Sequence, residues 1–184
     1  MRNERLTAVA RAVFCIGALT LGFGAEAAGD KAAYEQAKAS AKATYDAAKA
    51  RCDARSGTAK DICVAEAKAA RTKTEVDADA AYKDTPKARE HAVDEKADAD
   101  YKVAKERCGE RTGNDKDVCV KVARAALVRA KADAKATKKS AEAHLEAAKD
   151  KREADYRVAA EKCDAMSGDA KSACVAQAKA KYGM

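Results

Sequence analysis

The chain has 184 residues, 37 of them lysine or arginine and 30 aspartate or glutamate, for a net charge of +7. It has no tryptophan, two phenylalanines and one proline, and its apolar content is mostly alanine. Burying methyl groups yields too little per residue for a thick globular core, so long helices packed closely over alanine are the expected form. The mild, interleaved charge favours solubility over a nucleic-acid footprint, which would need clustered Lys/Arg and usually some aromatics.

A leader comes first. Arg2, Arg5 and Arg11 precede an apolar run from Ala12 to Phe23, which has signal-peptide length and is short for a spanning helix. Ala25-Glu26-Ala27 places small residues at the two positions a signal peptidase reads, so residues 1–27 are expected to be removed, with cleavage after Ala27. An uncleaved anchor is the alternative. A lipid anchor on Cys15 is rejected, because large Phe14 precedes it and further apolar residues follow. Cleavage takes three arginines, two glutamates, both phenylalanines and the odd cysteine, leaving 34 basic and 28 acidic side chains. Six cysteines remain. An even number in an exported chain points to disulfides in an oxidising compartment, and the expected location is the periplasm, with no stable membrane insertion once the leader is gone.

Those six stand in three pairs, Cys52/Cys63, Cys108/Cys119 and Cys163/Cys174, with ten residues inside each pair. Gly57, Gly113 and Gly168 lie five after the first cysteine, and Tyr45, Tyr101 and Tyr156 seven before it. The tyrosines step by 56 and then 55 residues, so the mature chain divides into tandem units at 28–84, 85–139 and a truncated 140–184. Each unit is rich in Ala, Lys, Glu and Arg, strong helix formers, and the stripe Ala41, Tyr45, Ala48, Cys52 has helical spacing. The glycine is expected to close one helix in the left-handed conformation. Its neighbour (Thr58, Asn114 or Asp169) is expected to cap the next, with Asp61 and Asp117 completing capping boxes in the first two units. The fold class is therefore all-α: three tandem disulfide-clipped helical hairpins, coiled-coil-like, either bundled or elongated. Cysteines at equal height on two such arms fall within disulfide reach, which pairs 52 with 63, 108 with 119 and 163 with 174. Each closed loop stabilises its hairpin by about 3 kcal/mol on the chain-entropy model.

The joints differ. Thr85-Pro86 is a cap followed by a proline at the first helical position. Its equivalent Ser140-Ala141 lacks the proline, which allows one rod from about Asn114 to Ser167.

Structural disulfides are favoured over a redox or metal site, since no Cys-x-x-Cys occurs and His91 and His144 fall at inequivalent positions. The repeated tyrosines read as packing residues in an alanine seam. Lys60, Lys116 and Lys171 recur in the first turn of a helix, and Arg51, Arg107 and Lys162 precede the first cysteine of each pair. With free helix N–H groups they form a candidate anion or partner contact at each hairpin tip; the competing reading pairs each lysine with Asp61 or a neighbouring acid. No catalytic constellation, cofactor motif or metal-ligand spacing is present, so no enzyme activity and no cofactor are expected.

The Ala/Lys/Glu/Asp-rich stretches Lys31–Arg51 and Arg129–Lys151 resemble the periplasm-spanning helical region of TolA-type cell-envelope proteins. The paired cysteines on a helical hairpin also resemble CHCH-type domains, which carry two cysteine pairs per hairpin. The expected role is structural or protein-interacting, with an envelope or periplasmic protein as partner and no specific nucleic acid. The alternatives are a periplasmic stress protectant or holdase and, more weakly, an anion- or nucleic-acid-binding module.

Overall fold

A computed structural model of the chain describes residues 29–184; the expected leader and its cleavage point lie outside them. Five helices follow in order: α1 Lys31–Cys52, α2 Gly57–Lys83, α3 Pro86–Cys108, α4 Gly113–Cys163 and α5 Gly168–Tyr182. The described residues contain no strand. Helix α1 starts because the Asp30 carboxylate accepts from the backbone N–H groups of Ala32 and Ala33, at 2.9 and 3.1 Å. Helix α3 starts the same way, with the Thr85 hydroxyl accepting from Ala88 N–H at 3.0 Å and Pro86 at its first position.

The chain forms the three expected disulfides, Cys52–Cys63, Cys108–Cys119 and Cys163–Cys174, with Cα separations of 5.6, 5.7 and 5.7 Å. The reversal between their arms differs from the sequence expectation. The first arm ends at its cysteine, and the glycine opens the second arm instead of closing the first. The N-caps are Ser56, Thr112 and Ser167, all extended and without a side-chain cap bond. Thr58, Asn114 and Asp169 consequently lie within the first turn, and neither Asp61 nor Asp117 closes a capping box among the described residues. Turning the backbone between arms held so close takes four non-helical residues, and the left-handed residue falls at the end of that excursion.

Gly57, Gly113 and Gly168 do take the left-handed conformation, at φ +54°, +54° and +56°, and a Cβ on any of them would meet nothing within 4 Å. Their requirement is conformational alone. Gly113→Ala is therefore expected to cost about 1 kcal/mol through left-handed strain, lowering the melting temperature by about 2–4 °C in thermal unfolding.

Packing follows chain order: α1 on α2, α2 on α3, α3 on α4 and α4 on α5, with no other helix pair in contact among the described residues. The α2/α3 seam holds the main apolar cluster, Ala69, Ala99 and Val103 with half-buried Ala65 against it. Ion pairs fix its register: Lys73–Asp100 at 2.5 Å, Lys96–Asp77 at 2.6 Å and Arg107–Glu66 at 2.6 Å. The α3/α4 seam is laced by Lys131–Asp98 at 2.7 Å and Lys138–Glu90 at 3.0 Å. The pairs at the α2/α3 seam are largely exposed and contribute at most about 1 kcal/mol each, so they select the register more than they hold the fold.

Both arrangements left open by the sequence occur, one at each joint. At the first, Asp84 turns left-handed at φ 42° and Pro86 starts a new helix, so the second hairpin folds back beside the first. At the second, α4 passes through Ser140 unbroken for 51 residues, about 75 Å. The third hairpin is carried away on that rod, and every residue from Glu142 to Arg152 is exposed.

Candidate functional site

Each hairpin tip is built around one fully buried sulfur, that of Cys52, Cys108 or Cys163, while the second cysteine of each pair is half-buried. Across the first tip Lys60 reaches the Asp53 carboxylate at 3.0 Å, and across the third Lys171 reaches Asp164 at 2.8 Å. These acids stand one residue after the buried cysteine. In the second hairpin that position is Gly109, and Lys116 has no carboxylate within 4.0 Å among the described residues. A Cβ on Gly109 would approach the Thr58 methyl to 3.7 Å, an ordinary contact, which shows that the first and second tips sit side by side.

The six basic residues singled out in the sequence do not converge. Lys60 and Lys116 lie at one end of the molecule, and Lys171 lies beyond the far end of α4. Arg107 is committed to Glu66 across the α2/α3 seam. Arg51 and Lys162 are exposed. The lysine that travels with each cysteine pair thus acts as a cross-loop tie in the first and third hairpins.

A different feature draws residues together. Helices α1 and α3 both pack on α2 but not on each other. The face of α2 between them is left as an open groove of about 660 Å³. Val64, Ala65, Ala69 and Ala99 supply its apolar surface and Tyr45 lines it from α1. Lys60, Lys68, Arg71 and Lys102 alternate there with Asp61, Glu75, Glu95 and Glu106. Arg71 donates to Glu75 at 2.8 Å and stands 5.5 Å from the centre of the Tyr45 ring. That hydrogen bond raises its pKa. The groove was not visible in the sequence, because it depends on two hairpins meeting; the alternating charges along α2 and α3 were the one available signal. Tyr45, Tyr101 and Tyr156 are half-buried. A further aromatic clamp was missed: Tyr34 stacks on Tyr82 with ring centroids 5.0 Å apart, closing the open end of the first hairpin opposite its disulfide.

The remaining pKa shifts belong to this lacing. The Tyr34 hydroxyl holds Asp79 below its ordinary 3.8, and Lys42 does the same for Asp46. Hydrogen bonds to Asp98 and Glu90 raise Lys131 and Lys138 above 10.5. Depressed carboxylates contribute stability that is present above 3.8 and lost as pH falls through their folded values; the raised lysines contribute below 10.5 and lose it above. The melting temperature is therefore expected to stay flat from about pH 5 to 9 and to fall only outside that window, as a calorimetric pH series would show.

Among the described residues no group of three His, Cys, Asp or Glu is placed to hold a metal ion, and no helix is long and apolar enough to cross a membrane. Fold and tips together define an all-α chain of three disulfide-clipped helical hairpins with an open mixed-charge groove. No protein family, curated protein or solved structure matches this chain.

Proposed function

We propose that the chain is an exported, non-enzymatic protein of the periplasm with a structural or protein-interaction role in the cell envelope. The observation that carries this reading is the groove over α2. It is an apolar floor rimmed by both signs of charge, the surface an amphipathic helix or extended segment of a protein partner uses. Three disulfides support export to an oxidising compartment. A rod of about 75 Å that carries a hairpin away from the remaining helices supports a spacing role of the kind served by the TolA-type helical region that the composition resembles.

A photo-crosslinking residue at Lys68, inside the groove, tests this in living cells against the same residue at Lys139 on the rod. The expected product is one envelope protein captured from Lys68 and not from Lys139, with the chain itself recovered in the periplasmic fraction. Recovery from the cytosol, or identical products from both positions, would sink the proposal.

A further inference from the structure

We propose that two copies of this chain associate through the face of α4 that points away from α3 and α5, antiparallel and two-fold symmetric about Glu142. This surface is separate from the α2 groove, and the proposal stands whether or not an envelope protein binds there.

The helical array ends at α4 without the neighbour its register calls for. The 56-residue step lays α2 onto the first half of α4, and the 55-residue step lays α3 onto the second half. Helix α2 receives α3. The corresponding partner for the first half of α4 is its own second half, which an unbroken helix holds pointing away. Two complementary surfaces thus sit on one rigid helix and cannot meet within a chain.

Most of the seam residues bear this out, although Ala65 beside the cluster corresponds to Lys121. Ala69, Ala99 and Val103, the cluster at the α2/α3 seam, correspond to Ala125, Ala154 and Val158. Two of the three ion pairs across that seam keep both signs. Lys73–Asp100 corresponds to Arg129 and Asp155, and Asp77–Lys96 to Asp133 and Lys151. The third, Glu66–Arg107, corresponds to Val122 and Lys162, so a carboxylate has been exchanged for an apolar side chain.

Exposure supplies an independent observation. Val118, Val122, Val128 and Val158 are 49%, 60%, 60% and 57% exposed. At about 100° per residue, Val118, Val122 and Val158 line up with Ala125 and Ala154 on one side of the rod, with Val128 at its margin. Leu127 and Ala134, which line the α3 side, and Cys163, which is tied to α5, lie on the other.

The pairing is self-complementary. Arg129 and Asp155 stand equally far from residue 142 in opposite directions, as do Asp133 and Lys151. A second α4 laid antiparallel therefore makes both halves of the interface at once and leaves no open end for further growth. A parallel, in-register pair would set Arg129 against Arg129 and Asp133 against Asp133, which like-charge repulsion disfavours.

Light scattering on the eluting disulfide-bonded chain, with carbodiimide zero-length coupling, tests the proposal. Asp133 and Lys151 are 18 residues apart on one helix, about 27 Å, so an isopeptide bond between them can only join two chains. The expected results are the mass of two chains and that link. Lys151→Glu should weaken association about tenfold or more, since each dimer carries the altered pair twice. Adding Asp133→Lys to it should restore association to within a few-fold, with helicity by circular dichroism unchanged throughout. A single-chain mass at every concentration, a dimer without the Asp133–Lys151 link, or a double variant that fails to recover would each overturn it.

Discussion

Replacing Cys163 and Cys174 with serine is expected to unfold α5 while α1 to α4 stay helical. Helix α5 has 15 residues, a length at which an isolated helix is marginal in water. It packs on α4 alone, and Ala178 is its one buried residue. Against so little burial, the roughly 3 kcal/mol contributed by closing the loop decides whether the helix forms. The same change at Cys108 and Cys119 removes a loop of equal size, yet α3 lies between α2 and α4 and is held from both sides. That variant should melt earlier without losing helix at ambient temperature. Hydrogen exchange reads the contrast directly: amides of 168–182 should lose protection in the first variant, and those of 86–108 should keep it in the second. Continued protection of α5 without its disulfide would mean that its contacts with α4 suffice.

The second large effect concerns shape. Ala141→Pro places at the second joint the residue that breaks the first, where Thr85-Pro86 separates α2 from α3. Proline at 141 deletes a backbone hydrogen bond to the carbonyl of residue 137 and drives its ring into the preceding turn, at a cost of about 3 kcal/mol or more in a helix interior. No other helix of the same chain braces the residues that follow, since Glu142 to Arg152 are all exposed. The rod should bend or part there, and the maximum dimension from small-angle scattering should shorten or broaden in distribution. An unchanged scattering profile would show that the helix tolerates the break.

The parts of the fold that were legible in the sequence are those that depend on neighbours along the chain. Cysteine spacing within one hairpin was enough to pair all six sulfurs, whereas the missing proline at Ala141 only allowed a rod through Ser140, which the structure shows unbroken. The turn was legible only in part. Each glycine is left-handed as expected, but its place at the entry of the second arm follows from how two arms tied at 5.6 Å must be joined, which no local pattern states. The competing reading pairs the lysine with Asp61 or a neighbouring acid, and in the first hairpin that acid is Asp53 across the loop. The groove and the Tyr34–Tyr82 clamp need α1, α2 and α3 assembled, so their residues carried no mark of their own.

The bare stretch of α4 between Glu142 and Arg152 also sets a phase. Because no other helix of the same chain packs on it, its length is free to change without disturbing a seam within the chain. One inserted residue would advance the third hairpin by about 1.5 Å and swing it by about 100°, whereas seven would lengthen the arm by about 10 Å and turn it by only about 20°. Spacing and bearing of the distal hairpin are therefore separately adjustable by residue count at this one place. Here the molecule behaves as a ruler whose divisions also carry a compass heading.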